Sequence, residues 1–181
     1  MKRVMIDIET LSTKPDAVIT QIGIVISECG KPDNEGIWHL PWMEQEHYGR
    51  VIDVGTLLWW LKSDRVQALH NMAALQDDLV KQAWEVALEL SDALDGADEV
   101  WANSPSFDVA CINSLFEVTG HGKISHKVER DFRTARALHP EVKYEYASNA
   151  HDALADAQAQ VAHLRKLGIW PAAFCEEVSN G

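Results

Sequence analysis

The stretch Val4-Met5-Ile6-Asp7-Ile8-Glu9-Thr10-Leu11 decides how this chain is read. Val4, Ile6 and Ile8 alternate with Met5, Asp7 and Glu9, the period-two pattern of a strand with one face in a core and the other face ending in acids. Successive side chains of a strand point to opposite faces, so Asp7 and Glu9 project from the same side. Two carboxylates inside an apolar strand are costly to bury without a cation or another partner to compensate them. The pair points to a bound metal.

Outward from this strand, Val18 to Ser27 is β-branched enough to form a second, central strand, and Gly36 to Trp42 supplies a third after the Lys-Pro-Asp-Asn-Glu-Gly turn. The three make an antiparallel meander. From Asp53 the period changes: Leu57, Trp60 and Leu61 mark a short helix, and Leu79, Ala83, Val86, Ala87 and Leu90 a longer one ending near Gly96. Glu99 to Ala102 is a short buried strand, and Pro105 opens a helix that passes through Cys111, Leu115 and Val118 and stops at Gly120. A last helix runs from about Asn149 to Leu167, with Leu154, Ala157, Val161 and Leu164 on one stripe. Three hairpin strands followed by helix-strand alternation indicate an α/β or α+β domain whose mixed sheet is covered by helices.

A chain of 181 residues suits one domain, which buries roughly 70% of its unfolded surface. We take that domain as residues 1–170, with a polar tail over 171–181. Cys29, Cys111 and Cys175 are odd in number and lack paired spacing, which argues against a disulfide framework or a zinc knuckle and for a reducing compartment. The Met-Lys-Arg start is like that of a signal peptide, but Asp7 and Glu9 break the apolar stretch that follows. No other segment reaches the roughly 20 apolar residues of a membrane span. A soluble cytoplasmic protein with no membrane partner is expected.

The formal charge of −12 counts against a protein that tracks a long phosphate backbone. It does not count against an enzyme acting at a chain end, where metals supply the positive charge that phosphate needs. One segment runs the other way: between His121 and Lys143, Lys123, Lys127, Arg130, Arg133, Arg136 and Lys143 face only Glu129, Asp131 and Glu141. It reads equally as a phosphate-binding patch or as an ordinary solvated surface.

Three more residues complete a metal-site pattern: Asp108, five residues after Asn103 in Trp101-Ala-Asn-Ser-Pro-Ser-Phe-Asp108, and the pair His151 and Asp156 in His-Asp-Ala-Leu-Ala-Asp. Each element alone is weak. Asp-x-Glu recurs at Asp33 to Glu35 and His-x4-Asp at His126 to Asp131, but the first lies in a turn and the second in a charged stretch with no helical stripe.

The ordered combination resembles the DEDDh class of 3′-5′ exonucleases, the DnaQ-like branch of the RNase H-like fold, over Met5 to about Leu167. Ile-Asp-Ile-Glu-Thr-Leu, Trp59-Trp60-Leu61 and Trp101-Ala-Asn-x3-Phe-Asp are similar to the small stand-alone exonucleases of phages and bacteria. The resemblance implies an α/β fold, a mixed sheet with helices on both faces, and a single exonuclease domain. It implies Asp7, Glu9, Asp108 and Asp156 as ligands of two Mg²⁺ ions, with Mn²⁺ a substitute, and His151 as general base. Carboxylates suit these ions, and two metals clamping a phosphodiester fit hydrolysis to nucleoside 5′-monophosphates. It also implies single-stranded 3′ ends as partners, DNA ahead of RNA, and a homodimer or higher homo-oligomer. Thr10 and Leu11 would meet the terminal nucleotide, Asn103 and Phe107 would contact substrate unless they only cap and pack their helix, and Trp60 would stack on bases unless it is core. Tyr144 and Tyr146 lie too early to replace His151, as a tyrosine does in the sister class. A haloacid-dehalogenase-type phosphatase needs an aspartate where Glu9 stands, and a non-catalytic RNase H-like module has no reason to keep all five residues.

Overall fold

The computed structural model describes residues 1–62, 64–79, 81–149 and 151–171. Five strands, β1 (Lys2–Thr10), β2 (Ile19–Glu28), β3 (Asn34–His39), β4 (Glu99–Ala102) and β5 (Glu129–Asp131), form one mixed sheet in the order β3-β2-β1-β4-β5. The meander β1-β2-β3 is antiparallel. On the other side β4 runs parallel to β1, and β5 parallel to β4. Seven helices are described: α1 (Trp42–Glu46), α2 (Val54–Trp60), α3 (Val66–Ala74), α4 (Ala83–Leu94), α5 (Asp108–Thr119), α6 (Phe132–Leu138) and α7 (Ala153–Lys166).

β1 is the middle strand, and both its faces are covered. Val4, Ile6 and Ile8 pack with residues of α4 and α5, including Val86, Leu90, Ile112 and Leu115. Met5, on the opposite face, joins Phe132 and Ala135 of α6 with Ala157, Val161 and Leu164 of α7. Alternation therefore turns Asp7 and Glu9 towards the α7 side, where the apolar layer gives way to a cleft. A smaller cluster of Leu11, Val18, Trp60 and Met72 closes the end of the sheet beyond the β1 terminus. Among the described residues no helix is long and apolar enough to cross a membrane.

Several boundaries differ from the sequence reading. The third strand was expected to reach Trp42 but ends at His39; Pro41, which has no backbone N–H, caps α1 instead. The last helix starts at Ala153 rather than Asn149, because Asp152 is its cap and accepts from Ala155 N at 3.0 Å. β5, α1, α3 and α6 were unforeseen. β5 is the three-residue charged edge strand Glu-Arg-Asp, with no apolar pattern to read. Its last residue Asp131 caps α6 by accepting from Thr134 N at 2.6 Å. Of the tail expected over 171–181, residues 172–181, which include Cys175, lie outside the described residues.

Candidate active site

The site is built where β1, β2 and α7 meet. Asp7 on β1 pairs with Gly23 on β2, and Glu9 with Gln21. Gly23 has no side chain, and α7 begins directly upon it: a Cβ there would stand 2.3 Å from the Ala153 carbonyl carbon and from Leu154 N. Gln21 secures the same turn by accepting from Ala153 N at 3.2 Å. This docking brings Asp156, one turn into α7, beside the two β1 acids. Asp7, Glu9 and Asp156 each present an oxygen, and the three oxygens lie within 4.8 Å of one another.

Asp108 opens α5 and shares the same cleft, which encloses about 840 Å³. Its Oδ2 accepts from Ser104 N at 2.8 Å, so the carboxylate is held by the loop after β4 rather than by the other acids. It does not belong to the three-oxygen cluster. Gln160, one turn beyond Asp156 on α7, donates Nε2 to Asp7 Oδ1 at 2.7 Å. This partner went unseen in the sequence; its position four residues after Asp156 on the same helix face is the signal that was there to find.

The charges are poorly compensated. Burial pushes Asp7 and Glu9 well above the usual carboxylate range, repulsion from the other site acids adds to it, and the Gln160 hydrogen bond opposes it at Asp7. Burial pushes Asp108 up to about 6 against the pull of the Ser104 amide, and Asp156 is raised by burial too. Among the described residues no lysine or arginine forms an ion pair with any of the four. Of the basic groups, His151 brings Nδ1 to 3.8 Å from Glu9 Oε1, and the Arg133 charge helps to lower the Asp108 pKa from a greater distance. A tight, buried, oxygen-only set short of positive charge fits a hard divalent cation.

His151 stands just before α7 in the left-handed region, with φ +66°. Its backbone N–H donates to Asp156 Oδ2 at 3.1 Å, which orients histidine and aspartate together. Its ring meets the edges of Trp59 and Trp60 at centroid distances of 5.2 and 5.3 Å. Burial lowers its pKa below the usual value, with Asp156 opposing.

Beside the carboxylates a second cavity of about 430 Å³ is lined by Thr10, Trp59 and Phe107 among others, and Ile8, Glu9 and Phe107 border both spaces. The structure sorts the residues proposed to meet a nucleotide. Asn103 and Phe107 line the main cleft. Thr10 lines the second cavity; its Oγ1 donates to the Ser12 carbonyl at 2.8 Å. Leu11 is instead fully buried in the Val18, Trp60 and Met72 cluster. Trp60 is 1% exposed, with Nε1 donating to the Thr10 carbonyl at 2.9 Å, and still borders the second cavity beside Trp59. The tryptophan presented to solvent is Trp59, 38% exposed, with the Arg65 guanidinium 4.0 Å above its ring. Adjacent helical residues differ by about 100° in direction, so the doublet could not say which one faces out.

Comparison with known proteins places this chain in a family. Residues 2–168 match the family model described as the Rv2179c-like 3′-5′ exoribonuclease domain. No curated protein sequence matches the chain significantly. Among solved structures the chain is similar to E. coli exonuclease I in complex with a dT13 oligonucleotide, at a TM-score of 0.67 and 15% identity over 92% of this chain and 42% of that one. It is similar also to the zinc-bound form of the E. coli exonuclease I complex with single-stranded DNA, at 0.64 and 15% over 92% and 40%. The chain thus spans about two fifths of those proteins, and the likeness shows the fold: RNase H-like, as the sequence implied.

Proposed function

The chain belongs to the Rv2179c-like 3′-5′ exoribonuclease domain family, and from that membership we propose that it is a metal-dependent 3′-5′ exonuclease of the DEDDh class. It removes nucleoside 5′-monophosphates from single-stranded 3′ ends. Sequence reading set DNA ahead of RNA; the family description supports RNA as the first substrate, with DNA ends second. One observation carries the reading: three carboxylate oxygens on β1 and α7 within 4.8 Å of one another.

Asp7, Glu9 and Asp156, with Asp108 across the cleft, would hold two divalent cations, Mg²⁺ first and Mn²⁺ as substitute. When bound, such ions supply the charge that both the buried acids and a phosphodiester require and make water easier to deprotonate. The second cavity, with Trp59 and Phe107 on its walls, takes the terminal nucleoside and sets its 5′ phosphate against the acids. His151 is neutral near pH 7 because burial lowers its pKa, so its ring can accept the proton of the attacking water. Attack at phosphorus breaks the bond to the 3′ oxygen of the preceding nucleotide and leaves the phosphate on the released nucleoside. Asp156, accepting from the His151 backbone, keeps base and carboxylate cluster in register.

Calorimetric titration with Mn²⁺ tests the site: the wild-type protein takes up the ion, Asp7→Asn loses at least about tenfold in affinity, and the same variant releases no mononucleotide. Undiminished Mn²⁺ uptake and release by Asp7→Asn would reject the assignment.

A further inference from the structure

The cleft has a second wall that the carboxylates do not explain. α6 buries Phe132 and Ala135 against the sheet, and this leaves Arg133 and Arg136, three residues apart, on the side that borders the cleft. We infer that Arg133 and Arg136, with Tyr146 at the rim, form the track that holds the phosphates and one base of the nucleic-acid strand on the 5′ side of the scissile bond. This rests on the exonuclease reading of the site.

Charge is the first argument. The protein carries a net −12 and gathers four acids in this cleft, yet its lining includes two guanidinium groups. Among the described residues neither forms an ion pair with a carboxylate. Two other cations of the basic segment are spent on protein. Lys123 pairs with Glu117 at 2.8 Å. Arg130 lies 3.6 Å from Glu99 and donates to the carbonyls of Lys127 and Glu129. Within this segment Lys123 and Arg130 serve the fold, whereas Arg133 and Arg136 face the cleft.

Packing is the second argument. The Arg136 guanidinium lies 5.2 Å from the Tyr144 ring centroid, and Tyr144 is braced by Phe132 and His163, each with its centroid 5.3 Å away. Tyr146 sits edge-on to Tyr144 at 4.7 Å and is 75% exposed. A supported aromatic ring left in solvent beside an unpaired arginine is the arrangement that binds single strands without regard to sequence. Direction is the third. The cavity with Trp59 shares Ile8, Glu9 and Phe107 with the cleft that Arg133 and Arg136 line, so a strand whose terminal nucleoside fills the first continues into the second.

The test is fluorescence anisotropy of a 5′-labelled ten-nucleotide oligouridylate, with Ca²⁺ replacing Mg²⁺ to limit turnover, across a salt series. Arg133→Gln with Arg136→Gln should weaken binding at least tenfold at low salt and reduce the slope of log affinity against log salt by about 1.4, roughly 0.7 for each lost phosphate contact on a single strand. Arg130→Gln should leave both unchanged, and thermal melting should show all variants folded. An unaltered slope, an equal effect of Arg130→Gln, or no binding by the wild type overturns the inference. If the expected pattern holds while the wild type releases no mononucleotide, the strand track stands and the catalytic reading falls.

Discussion

Gln160 Nε2 donates to Asp7 Oδ1 at 2.7 Å, joining residues 153 positions apart. The amide is neutral, so it fixes one oxygen of the carboxylate without cancelling its charge and leaves the cluster dependent on a cation. Gln160→Leu should raise the Mn²⁺ concentration giving half-maximal activity by about 10 to 100-fold, the usual cost of losing a residue that orients a metal ligand. A Mn²⁺ titration of activity reads this directly, and an unchanged midpoint would show that β1 alone holds Asp7 in place.

His151 combines φ +66° with a lowered pKa. Asparagine tolerates the left-handed backbone better than alanine does and removes the base. His151→Asn should therefore fold and bind metal normally while kcat falls at least about 100-fold. In the wild type the base form persists to lower pH than for an ordinary histidine. Activity should fall on acidification only below about pH 6.5, the usual histidine value. A kcat profile from pH 5 to 8 that breaks above that value would contradict the assignment.

The raised carboxylates make the metal-free protein sensitive to alkali. With pKa values higher folded than unfolded, the native state holds protons that the unfolded chain has released, so stability falls as pH rises. The stabilisation is complete below the ordinary carboxylate values and is lost through about pH 6 for Asp108 and above the ordinary carboxylate range for Asp7 and Glu9. In EDTA, Tm should drop by several degrees between pH 5 and 8, and Mg²⁺ should restore it. Asp7→Asn should flatten the dependence. A Tm in EDTA that rises over this range would refute the charge imbalance.

Gly23 sets the seat of α7. Gly23→Ala would place a Cβ 2.3 Å from backbone atoms of Ala153 and Leu154, which have no side-chain freedom with which to yield. We expect a loss of roughly 1–3 kcal/mol and, because α7 carries Asp156 and follows His151, a fall in turnover of more than tenfold. Gly36→Ala on the neighbouring strand is the control, since its new Cβ meets nothing closer than 3.5 Å. Equal behaviour of the two variants in melting and turnover would remove Gly23 from the account.

The sheet and the main helices were legible because their apolar periods are strong: β1, β2, β4, α4, α5 and α7 all carry buried stripes. β5, α1, α3 and α6 were not, since a charged three-residue edge strand and helices of five to nine residues that bury only one or two side chains leave little periodic trace. The anomalous acids of β1 were visible as a breach of an apolar run, and the decoys at Asp33 and His126 were set aside on local context. What context could not supply was direction. Leu11 turns into the core while Trp59 turns to the second cavity and Arg133 and Arg136 to the cleft, and that choice is made by packing between distant segments. Gly23 was legible in principle as a glycine inside a β-branched strand, the mark of a close backbone approach.

The most direct test of the central claim is mononucleotide release from matched 3′-labelled and 5′-labelled single-stranded RNA and DNA, in Mg²⁺, in Mn²⁺ and in EDTA. The 3′ label should be lost as nucleoside monophosphate only with metal present, with RNA the faster polymer and the 5′ label retained until late. Release that begins at the 5′ end, or that persists in EDTA, would contradict that claim.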